Sequence, residues 1–476
     1  MTSVEQLLAR EIFTGLVTID AAGQLTPGLA ESWSVSPDGQ SYTFTLRPRL
    51  QWSDGKAIDA TDIVDSFKRA LDPATAAPFV GFLLTIRNAE AFRLGTLGSG
   101  EALGVSAPDR RTVRFDLSAP SKRFMDVLAQ AVASPVPLHR IAQLKEAWAE
   151  PFVVIGNGPF ATMPAGDRYA LKRNEKFFAS STTIPGEIQL TIVSNGDEAL
   201  TAIRRGDLDL ALGFIPAPIS ERTSMRGAAS ASPFTVYSLV VNTDHAPFNL
   251  RELRHALGMA IDRDGIIKTQ RLSEAISAYN LVPPGVANYS AYRAPYAKLS
   301  QPDRRVVAGA LLLDVDPRAV PPIRLAHPEG RSHAAMITAV SKAWRDLGFT
   351  VTPVPRSEAQ HETAVLEGDF DVAVMPQWSQ IGDMDRFLHS FSQIAGPWNI
   401  ARYREVSFDE RLVQADVQMD SGYRMGLLRE AEGVLIQDQV SWPLVFMPAT
   451  VMARDRLSGL EANAAGVHPL RLIGFR

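Results

Sequence analysis

The sequence predicts an α/β protein of two lobes, and three observations carry that expectation. Segments read strand, helix, strand in the middle of the chain and again in its C-terminal third. At 476 residues the chain is several times the usual domain size, which leaves room for more than one large core. The third is a repeated punctuation, RRGDLDLAL at Arg204 to Leu212 and LEGDFDVAV at Leu366 to Val374, where a helical pattern runs into Gly-Asp-apolar-Asp-apolar.

In chain order, SYTFTL (Ser41 to Leu46) alternates with period two before a turn at SDG (Ser53 to Gly55), so it is a strand. DATDIVDSFKRAL (Asp59 to Leu71) offers Asp59 or Thr61 as N-cap, and Ile63, Val64, Phe67 and Leu71 fall on one helical face. TVRFDL (Thr112 to Leu117) and GEIQLTIV (Gly186 to Val193) are further strands. LRELRHALGMAID (Leu250 to Asp262) and HAAMITAVSKAWRDLG (His333 to Gly348) are amphipathic helices. The second closes on Gly348 as a C-cap and enters the strand FTVTPV. Between them, the Gly/Pro-rich LVPPGVANYSAYRAPY (Leu281 to Tyr296) is a long loop.

The two Gly-Asp segments have a local explanation. Glycine ends a helix in the left-handed conformation, the next Asp caps the turn, and a short strand follows. In DFDVAV this spacing puts Asp369 and Asp371 on one strand face and Phe370, Val372 and Val374 on the other. Asp207, Asp209, Asp369 and Asp371 are therefore expected to be architecture, not a split catalytic or metal-binding set.

Composition narrows the function. Hydrophobic residues make up 46% and charged residues 21%, ordinary globular usage. Net charge is −4 with both signs well mixed, so no basic patch argues for nucleic acid or an anionic membrane. The absence of cysteine excludes disulfides, thiolate metal sites and cysteine nucleophiles, and suits an oxidising compartment. No apolar run approaches the roughly 20 residues that span a bilayer. MTSVEQLLAREIFTGLV has neither a basic nor an apolar signal region.

Candidates for chemistry are weak. GTLGSGEALG (Gly95 to Gly104) lacks the G-x-G-x-x-G order and any following Lys-Ser/Thr, so it reads as a plain loop. The eight histidines are scattered, and HETAV at His361 lacks the second histidine of a zinc-protease helix. No G-x-S-x-G elbow anchors a hydrolase triad. The Asn-x-Ser of ANYS (Ala287 to Ser290) is incidental. Nothing here demands an enzyme, a metal or a cofactor.

What the chain resembles is the extracellular solute-binding family 5 of ABC importers, the peptide, opine and nickel type. The resemblance is carried by REIFTGLVTIDAAGQLTPGLAESWSVSPDGQSYTFTLRPRLQWSDGKAIDATDIVDSFKRALDP, with its Ala-Glu-Ser-Trp and Trp-Ser-Asp-Gly elements. It continues through GNGPF, LKRNEKFF, VNTDHAPFNLRELRHALGMAIDRDGII, EGDFDVAV and HPLRLI, and so covers essentially the whole chain. LGVSAPDRRTVRFDLSAP further resembles the oligopeptide-binding branch.

The resemblance implies a periplasmic-binding-protein-like class II clamshell: two α/β lobes, two crossovers and an extra subdomain. On that map lobe I is 1–13, 138–240 and 448–476, subdomain Ib is 14–137 and lobe II is 241–447. It also implies a peptide or peptide-like solute enclosed by hinge closure, transmembrane subunits of an ABC permease as partners, a monomer, and the periplasm. A sensor or chaperone using the same clamshell, or a binder of an opine or sugar conjugate, is the other reading. The family normally opens with a signal peptide and a first strand bearing Leu-Asp-Pro; this chain starts after both, so its start is expected to be truncated.

Residue-wise matching gives a pocket. Oligopeptide binders usually carry arginine where Val374 stands and, where Gln380 stands, an aspartate that pairs with the peptide's amino group. Gln380 offers no charge to an ammonium, and losing such a pair costs about 1.5–3 kcal/mol. Phe79 falls at an aromatic wall, and Gln377 or Trp378 at the pocket tryptophan. Tyr237 and Ser238 begin a crossover strand, Met447 ends the other, His333 opens a lobe-II helix, and Ser3 marks the rim. Asp383 and Asp385 are expected to cap the next helix.

Overall fold

The computed structural model describes residues 3–75, 77, 80–98, 102–121, 123–150, 152–165, 168–193, 196–211, 235–270, 272, 275–284, 289–378, 385–418, 420–447, 452–460 and 468–476. Hydrophobic side chains gather into two large clusters, one drawn from residues 16–133 and one from 236–447, and two small ones.

The first large cluster is built on an antiparallel sheet in the order Ala30–Val35, Ser41–Leu46, Thr112–Asp116, Val105–Asp109. Alternation along Ser41–Leu46 buries Tyr42, Phe44 and Leu46, as its period predicts. The helix expected from DATDIVDSFKRAL spans Ala60–Leu71 and buries Ile63, Val64, Phe67 and Leu71. Asp59 is its N-cap: its carboxylate accepts from Thr61 N at 3.0 Å, and Asp62 accepts from Asp59 N at 2.9 Å. Such a cap contributes about 1 kcal/mol. Phe67 meets Phe115 edge-on with centroids 4.9 Å apart, locking helix to sheet.

The small clusters join distant stretches of chain. Ile12, from the helix Ser3–Ile12, packs with Phe160, Leu171, Leu457, Leu470 and Ile473. The strand Leu210–Ala211 pairs antiparallel with Met452–Ala453, behind the helix Gly196–Arg205.

The second large cluster surrounds a mixed sheet of six strands: Ile276–Ser277, Ser441–Met447, Thr235–Val241, Val372–Trp378, Ile323–Pro328 and Val351–Arg356. Ile323–Pro328 runs parallel to both of its neighbours, and the remaining pairs are antiparallel. Trp344, on the helix Arg331–Arg345, and Trp442 cross edge-on at 5.4 Å, both fully buried. Arg263 is fully buried here and makes no ion pair among the described residues; its guanidinium donates to the carbonyls of Ala278 (2.9 Å), Pro443 (2.7 Å) and Gly258 (3.0 Å) and lies over the Tyr279 ring.

Both Gly-Asp segments end helices as expected. Gly206 and Gly368 take φ of +87° and +82°, while Asp207 N donates to Ala202 O at 2.9 Å and Asp369 N to Ala364 O at 2.8 Å. The strand after Gly368 begins only at Val372, because Asp369 is still engaged in closing the helix. Phe370, Val372 and Val374 are buried as expected, but so is Ala373, since this strand is central and covered on both faces.

Three boundaries differ from the sequence reading. The helix expected over Leu250–Asp262 is Arg251–Ala260, and Asp262 instead caps Arg263–Thr269 by accepting from Gly265 N at 2.9 Å. GEIQLTIV pairs only over Glu187–Leu190, leaving Ile192 83% exposed. The helix expected from His333 already starts at Arg331, and Gly348 follows its end with φ +97°.

Candidate functional site

One edge of the six-stranded sheet collects the features of a crevice. The parallel strands Ile323–Pro328, Val351–Arg356 and Val372–Trp378 all end there, and the helices Arg331–Arg345 and Glu358–Glu367 begin there. In open α/β sheets this carboxyl edge is where ligands bind. Thr235 pairs with both Trp378 and Met447, so one strand enters and another leaves at that same edge. Both connections to the rest of the chain therefore converge on it.

Tyr237 and His333, predicted from separate stretches, meet in a hydrogen bond of 2.7 Å between the phenol oxygen and Nδ1. Both are buried, at 1% and 6% exposure. Burial pulls His333 down to about 3, with His327 and His361 adding to the effect, so the ring is neutral at physiological pH. Asp197, on the helix Gly196–Arg205, acts on His333 in the opposite sense, so an acid from outside the 235–447 region lies near this pair. The phenol stays protonated because burial, reinforced by the charge of Glu358, raises it well above its ordinary range.

Glu358 is the residue that sequence reasoning missed. It opens the helix after Val351–Arg356, is exposed, and is lifted to about 7 by its surroundings and by Glu362. An acid one residue beyond a helix N-cap has an ordinary dipole explanation, which is why the sequence alone did not single it out.

Among the described residues, buried polar atoms without partners occur on two strands of this sheet and on the helix Glu358–Glu367. Gln377 is 8% exposed; its amide nitrogen donates to Ser390 Oγ at 2.9 Å, while Oε1 has no partner among the described residues. The hydroxyl of Thr235 is also unpartnered. His361 Nε2 lies 2.9 Å from Val374 O and therefore carries the proton, leaving Nδ1 a buried acceptor with nothing to accept. Buried acceptors in this state await a donor from ligand or water.

The other sequence-derived candidates divide. Ser238 is fully buried and gives its hydroxyl to Met375 O at 2.7 Å, and Met447 is buried at 4% exposure. Trp378 is placed by its backbone pairing with Thr235, and Ser3 as the first residue of its helix. Phe79, Gln380 and Asp383 lie outside the described residues, and the Asp385 side chain does too. Val374 is fully buried in the central strand.

Two of the Gly-Asp acids, Asp209 and Asp369, are held by arginine side chains. Asp209 bonds Arg454 at 3.3 Å and Arg456 at 3.2 Å; Asp369 pairs with Arg324 and, at 2.5 Å, with Arg356. Asp371 accepts from Arg324 N at 2.9 Å and meets His245 Nδ1 at 3.1 Å. Among the described residues no group of three acids or histidines could hold a metal ion.

Comparison with known proteins gives this geometry a context. Residues 24–397 match the family described as bacterial extracellular solute-binding proteins, family 5, middle. The probable deoxycholate-binding periplasmic protein YgiS of Escherichia coli is 29% identical over 95% of this chain and 86% of its own length. The periplasmic oligopeptide-binding protein OppA of Salmonella typhimurium is 26% identical over 93% of this chain and 83% of its own. The fold is that of the murein tripeptide binding protein MppA of Escherichia coli, at TM-score 0.92, 24% identity, and coverage of 100% of this chain and 94% of that one. The unliganded open form of MppA matches at 0.67, again with 24% identity, over 100% and 93% of the two chains.

Proposed function

The chain belongs to the bacterial extracellular solute-binding proteins of family 5, and from that premise we propose that it captures a peptide or peptide-like solute for an ABC permease. The solute lies at the sheet edge between two lobes and is enclosed by hinge closure. The protein works outside the cytoplasmic membrane, as a monomer, and catalyses nothing. The lobes follow the map given above, with Tyr237 and Ser238 on one crossover strand and Met447 at the end of the other; the segregation of the two large clusters supports the division of subdomain Ib from lobe II.

The observation that carries this reading is a pair of buried acceptors without a partner among the described residues, Gln377 Oε1 at the end of the strand Val372–Trp378 and His361 Nδ1 close to the neutral His333. A peptide backbone supplies N–H donors along its length, and such donors are what these atoms lack. Gln377, Trp378 and Gln380 are the proposed central contacts, with Ser3, Phe79, Tyr237, Ser238, His333 and Met447 around them. Gln380 leaves a free peptide ammonium without its usual acid, so recognition rests on the peptide backbone or on a modified terminus.

A second reading has specific support in the relative named as a probable deoxycholate-binding protein, which points to an amphipathic non-peptide acid. Native mass spectrometry of the purified protein separates the two. A heterogeneous set of peptide masses is expected; one defined non-peptide mass would sink the peptide reading.

A further inference from the structure

We propose that Arg123, His389 and Asp416 form a latch that sets how much of the protein is closed, without touching the solute. Arg123 Nη1 donates to Asp416 Oδ1 at 3.1 Å and lies 2.8 Å from His389 Nε2, which is itself 3.4 Å from Asp416. Arg123 belongs to the 14–137 unit and immediately precedes the helix Phe124–Leu128. His389 ends the helix Asp385–His389 and Asp416 lies in Val406–Val417, both in the 241–447 unit.

These two units are otherwise built to part. Their hydrophobic clusters share no residue, and no sheet among the described residues contains strands from both. Where they meet, the approach is close: a Cβ added at Gly81 would touch the Ile394 carbonyl at 3.4 Å.

The latch is sheltered enough to matter. Side-chain exposure is 14% for Arg123, 12% for His389 and 26% for Asp416. His389 and Arg123 together hold the Asp416 carboxyl well below the usual carboxylate range, so it is charged at any physiological pH. A charge-assisted contact made in the closed arrangement and absent from the open one shifts the balance by its full differential strength. Apparent affinity then changes with the closed fraction, although no latch atom contacts solute.

This inference rests on the reading that the lobes close, but not on what they enclose. The chain has no cysteine, so Leu94→Cys (61% exposed) and Leu313→Cys (85% exposed) give one spin label on each unit. Pulsed electron–electron resonance on the protein as purified is expected to show a short-distance population. Arg123→Gln, which removes the guanidinium charge, and the isosteric Asp416→Asn are expected to raise the open-to-closed ratio at least about tenfold while melting as the wild type does. The double charge swap Arg123→Asp/Asp416→Arg is expected to recover part of the closed population. Unchanged distributions in both single variants, or a wild type wholly in the long-distance state, would overturn the latch. A mass spectrum without peptides would overturn the peptide reading and leave the distances as they are.

Discussion

Two helix ends written with the same pattern, Gly206-Asp207 and Gly368-Asp369, are followed by very different structure. Both glycines are left-handed and both following aspartates close the helix on a carbonyl five residues back. After the first comes a two-residue strand paired with the far C-terminal segment. After the second comes a seven-residue strand at the centre of a six-stranded sheet. Local chemistry therefore decides that a helix stops, and tertiary packing decides what the chain builds next. The 235–447 region is contiguous and closes one large core; the region holding Gly206 is drawn together from both ends of the chain.

A buried acid in each region gives the strongest way to break that comparison. Glu432 is fully buried, and its carboxylate accepts from Leu281 N (2.9 Å), Val282 N (2.8 Å), Tyr292 N (2.9 Å) and Tyr289 OH (2.5 Å), tying down the long loop. Glu11 has one backbone donor, Leu470 N at 2.9 Å. Glu432→Ala orphans three buried amides and is expected to cost about 3–5 kcal/mol, against about 1–3 kcal/mol for Glu11→Ala, in chemical denaturation. Equal costs would mean that the contiguous core is no more dependent on its acid than the assembled one.

The same two acids make stability depend on pH. Burial lifts both to about 7 from an ordinary 4.5, against the pull of their hydrogen-bond donors. The folded protein thus keeps protons that the unfolded chain has released. Stability is fullest below 4.5 and falls as pH rises through about 7, by up to roughly 3 kcal/mol per group. Melting temperature is expected to drop between pH 5 and pH 8, and Glu11→Gln to remove part of that slope. A flat profile would show that one or both carboxyls ionise normally.

What the sequence could reveal follows the same division. Asp59 as a cap, the alternation of Ser41–Leu46 and both glycine helix ends were legible, because each depends on neighbours within one turn or one strand. The clamshell was legible only through resemblance to a family, since no periodicity says which strands share a sheet. Glu432 and Arg263 were unmarked charged letters; only folding shows that they are buried and what they hold. Arg123 and Asp416 lie 293 positions apart, and Tyr237 and His333 lie 96 apart, so neither pair leaves a local signal.

The glycines provide the finest test of whether the two turns are equivalent. Gly206→Ala and Gly368→Ala each force a Cβ into a left-handed conformation, at about 1 kcal/mol. The surroundings are similar: the nearest atoms to an added Cβ belong to the side chains of Arg454 at 3.5 Å and Arg402 at 3.4 Å, both able to give way. Matching losses in denaturant midpoint, within about 0.5 kcal/mol, are therefore expected despite the unlike strands that follow. A markedly larger loss at Gly368 would place part of the turn's energy in the six-stranded sheet, and the helix end could no longer be treated as a local unit.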